Sequence, residues 1–429
     1  MASILFLTPY YPPETGAPQT RISETAVRLV RRGHRVTVLT TLPNYPNGVV
    51  PPAYRRGRRR REVVEGASVV RVWSLIRPNR GFLGRVLAQM SFGCLAGVLG
   101  APSVGRPDLI IVESPPLFDA IAGRVLARLK RCPFVFTVAD IWPESAVQLG
   151  MLRNRTAIWL AERLEWSTYR QAAAVWAITE GIRRTLIERG LDPERVFLLT
   201  NGVDTMRFRP GDRAQARREL EWDDAFTVLY AGTIGLAQGL STLVAAAEAL
   251  RDHRDVRVVV VGEGAAKAAL ETEAIRRGLK NIVFLGLLPH DRMPLFVAAA
   301  DACLVSLRKI PMFNGAVPSK LYEAMAGARP ILLAVDGEAS RLVVDEAGAG
   351  VFVEPEDPAA LASAILALKA EPDAARQLGL RGRAWVEAKF DRDELTARLE
   401  TEVMALLRSG RSSATDAHRA AGQNLDVSP

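Results

Sequence analysis

The amino-acid sequence predicts an α/β protein built from two doubly wound domains. Short β-branched runs alternate with longer helical patterns along the 429 residues. Several of these runs are apolar at consecutive positions, which is typical of strands buried on both faces of a parallel sheet. The alternation restarts after residues 201–210. We therefore predict one domain over residues 1–205 and a second over residues 206–390.

The individual elements follow in order along the chain. Predicted strands of the first domain are Ile4–Leu7, Arg35–Thr40, Leu109–Val112, Phe134–Val138, Val175–Ile178 and Val196–Leu199. Those of the second domain are Thr227–Ala231, Arg257–Val261, Ile282–Leu285, Cys303–Leu307, Ile331–Ala334 and Val351–Val353. The clearest helical patterns are Arg21–Arg32, Pro116–Lys130, Leu240–Arg251, Ala265–Gly278, Ala359–Lys369 and Asp391–Arg408. Residues 409–429 lack periodicity, and we expect a disordered tail there.

Composition excludes several classes of protein. The chain is 48% hydrophobic and 24% charged, which is ordinary for a folded globular protein. Its three cysteines are far apart and form no CxxC pair, and none of its four histidines has HxxH or HxxxH spacing. We therefore expect neither a disulfide framework nor a metal site.

The positive charge is concentrated in the first half of the chain. Residues 1–205 carry 28 Lys and Arg against 16 Asp and Glu, whereas the remainder carries 28 against 31. Six arginines lie between positions 55 and 61. They suit an anionic surface of lipid headgroups or phosphates, although a solvated loop explains them as well. No aromatic residues interleave with them, so we expect no nucleic-acid partner.

An uncharged stretch between Arg85 and Arg106 is long enough to span a bilayer. Its glycines and polar residues favour a buried or interface-lying helix over a spanning one. The N-terminal apolar run lacks a basic leader. We therefore expect a cytoplasmic protein, and residues 86–105 leave open a peripheral contact with the inner face of the cell membrane.

Ligands of open α/β sheets bind at the carboxyl ends of the strands, so the loops that follow strands are the candidate sites. In the first domain, the proline-rich loop 8–18 contains the carboxylate of Glu14 and Gly16, where a ligand can approach the backbone closely. Residues 139–145 place Asp140 after another strand, where it suits a base or a ligand for hydroxyl groups. Ordinary structural turns are the alternative for both loops.

Two glycine-bearing loops follow the first strands of the second domain. Residues 231–239 lead into a helix, and their free N–H groups suit an anion; the candidate ligand-binding residues there are Gly232, Thr233, Gly235 and Gln238. Gly262 and Gly264 form the second loop. Lys267 occupies the third-glycine position of a dinucleotide fingerprint, so a tight strand-to-helix turn explains this loop equally well.

The segment 318–326 carries the most specific local pattern. Ser319 is suited to begin a helix as its N-cap. Lys320 then falls in the first turn, where a cation is unfavourable unless an anion binds beside it. Glu323 lies close to the same helical face. A lysine for phosphate and a glutamate for ribose hydroxyls fit this spacing better than the alternative, a capping box with its glutamate one residue too far along.

Taken together, the loops resemble the retaining, nucleotide-sugar-dependent glycosyltransferases of family four, which have the GT-B fold. Within that family the pattern is most similar to the amino-sugar (fucosamine-type) transferases of bacterial surface-polysaccharide synthesis. The resemblance extends over residues 1–408. The segments that carry it, in chain order, are Tyr10–Glu14, Asp140–Ser145, Asn201–Asp204, Gly235–Gly239 and Pro318–Lys320.

The resemblance implies two Rossmann-like domains that face each other across a cleft. A sugar would pass, with retention, from a UDP-sugar in the second domain to a hydroxyl of a lipid-linked or saccharide acceptor in the first. The resemblance implies no cofactor and no metal ion. Asp140 and Glu14 are the implied candidates for contacting the acceptor hydroxyl or acting as base. The last helix would return to the first domain.

The chain departs from the family pattern at three positions. Glu323 matches the second glutamate of the family's paired motif, but Gly315 occupies the place of the first. Thr233 and Gln238 stand where the family commonly has an arginine and a lysine for the diphosphate. Two alternatives therefore stay open from the sequence: a sugar-nucleotide 2-epimerase of the same fold, and a non-catalytic partner subunit.

Overall fold

A computed structural model describes residues 1–44, 48–55, 61–76 and 82–423, and it confirms two parallel α/β sheets. The first sheet has eight strands in the order β3-β4-β2-β1-β5-β6-β7-β8. They are β1 Ser3–Leu7, β2 Arg35–Thr41, β3 Arg61–Val64, β4 Ala67–Val72, β5 Leu109–Ser114, β6 Phe134–Val138, β7 Ala174–Ala177 and β8 Val196–Leu198.

Seven helices belong to the described part of this first unit. They are α1 Ala17–Arg31, α2 Pro52–Arg55, α3 Phe82–Gly100, α4 Asp119–Lys130, α5 Glu144–Gln148, α6 Arg155–Gln171 and α7 Glu180–Glu188. Short 3-10 turns cover Ala101–Ser103 and Pro193–Arg195. The strands that flank these helices pair in parallel, as βαβ connections require.

One pair of strands departs from the predicted parallel pattern. Strands β3 and β4 form an antiparallel hairpin at the edge of the sheet. Its two-residue turn places Glu65 at φ 46° and Gly66 at φ 89°, the left-handed conformation that a tight hairpin turn needs at both positions. A Glu-Gly pair is a weaker turn signal than Asn-Gly or Asp-Gly, which is why the sequence did not predict this hairpin.

The second sheet has six parallel strands in the order β11-β10-β9-β12-β13-β14. They are β9 Phe226–Ala231, β10 Val256–Val261, β11 Ile282–Gly286, β12 Ala302–Ser306, β13 Ile331–Ala334 and β14 Gly350–Phe352. Its helices are α8 Arg213–Glu219, α9 Ser241–Ala249, α10 Lys267–Arg276, α11 Met293–Ala299, α12 Lys320–Ala326, α13 Glu338–Ser340, α14 Pro358–Ala370 and α15 Pro372–Lys389. A π-helical segment, Arg341–Glu346, continues α13, and 3-10 turns cover Leu236–Gln238, His290–Arg292 and Pro311–Gly315.

The final helix, α16, runs from Arg392 to Gln423 and packs against the first unit. Its Leu395, Leu399 and Val403 are buried in the core of the first sheet. The helix extends past residue 408, where the sequence predicted a disordered tail, because an existing helix without proline gains one hydrogen bond for each residue added. Residues 424–429 of the predicted tail lie outside the described residues.

The apolar stretch near residue 90 forms helix α3. Within the described residues, one helical segment, Gly84–Ser103, has the length and apolar composition needed to cross a membrane. Its mean hydropathy is 1.4, and 28% of the segment is buried inside the protein. Gly93 and Gly97 bring this helix close to the backbone of α4. The same helix exposes Leu87, Met90, Val98 and Leu99. Of the arginine cluster, positions 56–60 lie outside the described residues.

Candidate active site

The carboxyl ends of both sheets face one cleft of about 740 Å³. Nine of the residues predicted for the site line it: Gly16, Asp140, Gly232, Thr233, Gln238, Gly262, Ser319, Lys320 and Glu323. Three others, Glu14, Gly235 and Gly264, are not among its lining residues. The cleft thus joins loops from both sheets, as the fold predicts for a ligand between two such units.

Lys320 lies on the floor of this cleft. Its Nζ lies 3.7 Å from the centroid of the Tyr230 ring, in a cation–π contact. Burial lowers the pKa of the Lys320 ammonium to about 7, and the nearby Glu323 carboxylate only partly opposes that shift. An anion bound beside the ammonium would restore its ordinary pKa, so the site is suited to a phosphate.

Glu323 sits one turn further along α12 and also faces the cleft. Its Oε1 accepts a hydrogen bond of 3.0 Å from Nε2 of His290. His290 lies four residues beyond the last residue of β11, and its ring packs on Phe208 with centroids 5.6 Å apart. The sequence prediction treated the histidines only as possible metal ligands, and no local pattern around His290 indicates this contact with Glu323.

The glycine turns after β9 and β10 pack against each other. A Cβ on Gly262, at φ +144°, would overlap the Gly232 carbonyl oxygen, and one on Gly264 would overlap the carbonyl of Ile234. The two loops also exchange backbone hydrogen bonds, including Ile234 N–H to Glu263 at 2.9 Å. For Gly264 the packing between loops accounts for the glycine, whereas Gly262 also lines the cleft.

The two positions where the family commonly has cations are neutral and partly engaged within the loop. The Gln238 side-chain oxygen accepts the Gly235 N–H at 3.0 Å. The Thr233 carbonyl accepts the Tyr230 hydroxyl at 2.6 Å. The Gly235 amide is therefore used within the local turn. Among the described residues, Lys320 is the lysine that lines the cleft.

Ser319 occupies the N-cap position of α12, but its hydroxyl makes no capping hydrogen bond, contrary to the prediction. Its backbone is already helical, at φ −60° and ψ −26°. An N-cap side chain reaches the N2 or N3 amide from an extended backbone, so the Ser319 hydroxyl cannot do so here. Ser319 is one of the residues that line the cleft.

Asp140, which follows β6, lines the cleft together with two other carboxylates of the first unit, Glu144 and Glu188. Burial raises the pKa of Asp140 to about 6, while hydrogen bonds from Ser145 and the Ile141 backbone oppose the shift and Glu144 adds to it. A carboxyl group with a pKa near 6 is ionised at neutral pH and close to the range useful for proton transfer.

Glu14, the other predicted carboxylate, is buried outside the cleft lining. Its Oε1 accepts a 2.5 Å hydrogen bond from the backbone N–H of Asn44. That contact joins the loop after β1 to the loop after β2. Because the carboxylate is held by backbone away from the cleft, the geometry favours Asp140 over Glu14 for contact with a ligand.

A buried ionic cluster that was not predicted from the sequence lies on the first-sheet side of the cleft. Arg21 lines the cleft and pairs with Glu113 at the end of β5. Burial raises the pKa of Glu113 to about 7 despite this arginine. Asp119 is fully buried and neither carboxylate oxygen has a hydrogen-bond partner among the described residues; burial and the Glu113 charge raise its pKa well above its usual value.

The two units also touch directly at one end of the cleft. Glu338 accepts hydrogen bonds from the backbone N–H groups of Glu180 and Gly181, at 2.9 and 2.5 Å, at the start of α7. Thr179 Oγ1 donates to the Gly315 carbonyl at 2.8 Å. Gly315, the position where the family has its first glutamate, is therefore used for backbone contact with the first unit.

No group of three or more His, Cys, Asp or Glu side chains within residues 1–44, 48–55, 61–76 and 82–423 is arranged to hold a metal ion. Among the described residues, the charged side chains that line the cleft are one lysine, three arginines and five carboxylates: Lys320, Arg21, Arg184, Arg392, Asp140, Glu144, Glu188, Glu263 and Glu323.

The two parallel sheets and the cleft between them define a protein of the GT-B fold class. The structure superposes on a sucrose-phosphate synthase from Thermosynechococcus elongatus with a TM-score of 0.75 and 19% sequence identity. The superposition covers 95% of this chain and all of that chain. The structure also superposes on Anabaena HepE in complex with UDP and glucose, with a TM-score of 0.71 and 19% sequence identity. That superposition covers 94% of this chain and all of HepE. These similarities concern the fold.

Sequence comparison gives the family. The glycosyl transferase 4-like domain profile matches residues 16–202, and the group 1 glycosyl transferase profile matches residues 212–385. The chain is 31% identical over 366 residues to the putative colanic acid biosynthesis glycosyl transferase WcaI of Escherichia coli K12, covering 83% of this chain and 89% of that protein. The chain belongs to the glycosyltransferases of this GT-B family, which does not favour an epimerase or a non-catalytic subunit.

Proposed function

We propose that this glycosyltransferase transfers a sugar, with retention of configuration, from a UDP-sugar to a hydroxyl group of a lipid-linked saccharide in cell-surface polysaccharide synthesis. The observation that carries the proposal is the shared cleft. Lys320 and Glu323 line it from one sheet, and Asp140 lines it from the other. The similarity to WcaI and the UDP bound in HepE support the pathway and the nucleotide.

Leaving-group charge develops on the diphosphate when the sugar departs. Preorganised donors stabilise such charge without having to rearrange during the reaction. Lys320 would bind the diphosphate, assisted by the backbone amides near Gly232 and Gly262. Glu323 would hold the ribose hydroxyl groups. Asp140 would contact the acceptor hydroxyl from the opposite side of the cleft.

The donor sugar would be an amino sugar of the fucosamine type. Where the family's first glutamate would meet sugar hydroxyls, this chain has Gly315. The adjoining turn lines the cleft with Met312 and Phe313. Such a surface suits acetamido and methyl groups better than a fully hydroxylated hexose, because burying unpaired hydroxyl groups is costly.

The experiment has two stages. Thermal-shift measurements with UDP-, GDP- and ADP-sugars identify the nucleotide, because a bound ligand stabilises the native state in proportion to RT ln(1 + [L]/Kd). The selected donor is then incubated with membrane-extracted lipid-linked acceptors, and the anomeric configuration of the product is determined by NMR. A product of inverted configuration, or conversion of the donor without acceptor, would reject the proposal.

We also propose that the enzyme works on the cytoplasmic face of the membrane, with an anionic bilayer against α3. Exposed Leu87, Met90, Val98 and Leu99 give that helix an apolar surface within a basic half of the chain. Burial of apolar area and attraction of bases to anionic lipids together anchor such helices.

Vesicle sedimentation tests this attachment. Leu99→Asp should reduce binding to phosphatidylglycerol vesicles at least about thirtyfold, because about 2 kcal/mol of apolar burial is lost and a negative charge is added. Ile275→Asp is the matched control, since Ile275 is exposed on α10 of the second unit. Equal loss in both variants would reject α3 as the attachment surface.

A further inference from the structure

The contact between His290 and Glu323 has no role in the transfer as described so far. The Nε2–H of His290 donates to Oε1 of Glu323 at 3.0 Å, and both side chains are about one-quarter exposed in the cleft. No other hydrogen bond reaches the Glu323 carboxylate from the described residues. Glu323 Oε2 is therefore left for a ligand.

The histidine itself is held in place from behind. Its ring is tilted 49° against the ring of Phe208, which is fully buried, at a centroid distance of 5.6 Å. The Phe208 carbonyl in turn accepts a 2.6 Å hydrogen bond from Arg383. The backbone of His290 begins a 3-10 turn immediately after Pro289, whose φ is fixed by its ring. The Phe208 ring and the backbone of the 3-10 turn therefore restrict the position of the His290 imidazole.

We propose that His290 is a positioning residue: it fixes the Glu323 carboxylate so that the enzyme distinguishes ribose from deoxyribose in the donor nucleotide. This inference rests on the proposed function, in which Glu323 receives the ribose hydroxyl groups. A glutamate has several rotatable bonds, and holding it in one rotamer before the ligand arrives removes part of the entropic cost of binding. His290 does so through one oxygen and leaves the other facing the nucleotide.

The chain offers a matched pair of variants. His290→Phe retains a ring against Phe208 but removes the donor to Glu323. His290→Gln places an amide N–H near the former Nε2 and should restore the contact. The dissociation constants of UDP and 2′-deoxy-UDP, measured by titration calorimetry with the full-length protein, give the discrimination ratio for each variant.

Wild type should prefer UDP by about tenfold, because 2′-deoxy-UDP lacks one hydrogen bond to the charged Glu323 carboxylate, and His290→Phe should reduce that preference to about twofold. His290→Gln should stay within about twofold of the wild-type ratio. In a Glu323→Ala background, His290→Phe should have no further effect on the ratio, because the group that it positions is gone.

If His290 had a purely structural role, His290→Phe would weaken the binding of UDP and 2′-deoxy-UDP equally and leave the ratio of their dissociation constants unchanged. That result would overturn the positioning role alone. A wild-type ratio near one would overturn it as well. Failure of the wild type to bind UDP at all would overturn the proposed donor, and this assignment with it. The two failures are therefore distinguishable in one set of titrations.

Discussion

The lowered pKa of Lys320 gives a direct test of the diphosphate site. Burial brings the pKa of its ammonium to about 7 in the free cleft. At pH 8 roughly one-tenth of the free protein would then carry the charge. Binding a diphosphate beside Nζ favours the charged form and restores a pKa near the usual 10.4 for lysine. The complex should therefore take up a proton that the free protein lacks.

The magnitude follows from the two protonation states. Between pH 6 and pH 8 the charged fraction of the free lysine falls about tenfold, while the ionised fraction of the UDP terminal phosphate rises about twofold, so the apparent Kd for UDP should rise about fivefold. At pH 8, binding should consume about 0.9 proton per site. UDP is a suitable probe there, because the second pKa of a phosphate near 6 leaves its terminal group fully ionised.

Titration calorimetry in buffers of different ionisation enthalpy measures this proton uptake. Lys320→Arg is the control, because its guanidinium stays charged throughout and should bind UDP with almost no proton uptake at pH 8. Lys320→Ala should lose most of the binding while keeping the melting temperature. Equal proton uptake in wild type and Lys320→Arg, or a Kd that does not change between pH 6 and pH 8, would refute the assignment.

Three further predictions concern other parts of the cleft. Asp140→Asn should lower kcat by roughly 100-fold, while its affinity for UDP should change by less than about twofold. The wild-type kcat/KM should fall as the pH decreases through about 6, because the Asp140 carboxylate becomes protonated there. Retained turnover in that variant would exclude a catalytic role. Glu338→Ala should speed hydrogen exchange at the Glu180 and Gly181 amides at least tenfold, since their acceptor is removed; unchanged exchange would contradict the interdomain contact. Gly262→Ala should lower the free energy of unfolding by about 3 kcal/mol in urea titrations, because of its positive φ and the overlap with the Gly232 carbonyl. Wild-type stability would contradict this packing.

Features set by local sequence were predicted well. The consecutive apolar runs predicted strands such as Phe134–Val138 and Ile331–Ala334 with the bounds that the structure has. The position of Lys320 in the first turn of its helix followed from the same kind of local pattern. Such features depend on residues within about one or two turns of each other, where propensity and periodicity act.

Features that depend on distant residues were not predicted. Glu338 meets the amide of Glu180 across 158 positions of sequence, and His290 meets Glu323 across 33. Neither glutamate nor histidine has a local pattern that reveals such a partner. Ser319 shows the complementary error: the residue type suits an N-cap, but the backbone at that position is already helical. Tertiary packing decides these cases, and residue type alone does not.

The glycine at position 315 is the departure that most constrains the mechanism, and it too can be tested. Restoring the family's glutamate with Gly315→Glu should lower activity. A Cβ at this position would lie 3.2 Å from the Gly181 Cα, and its carboxylate would be added near Glu338, which already accepts the amides at the start of α7. Crowding and like charge should separate the two units and cost about 1–3 kcal/mol in stability. Gly315→Ala isolates the steric part in the same transfer and melting measurements. Higher turnover at an unchanged melting temperature would show that the cleft accommodates the missing carboxylate, and that the contact between Gly315 and Gly181 does not hold the two units in the catalytic arrangement.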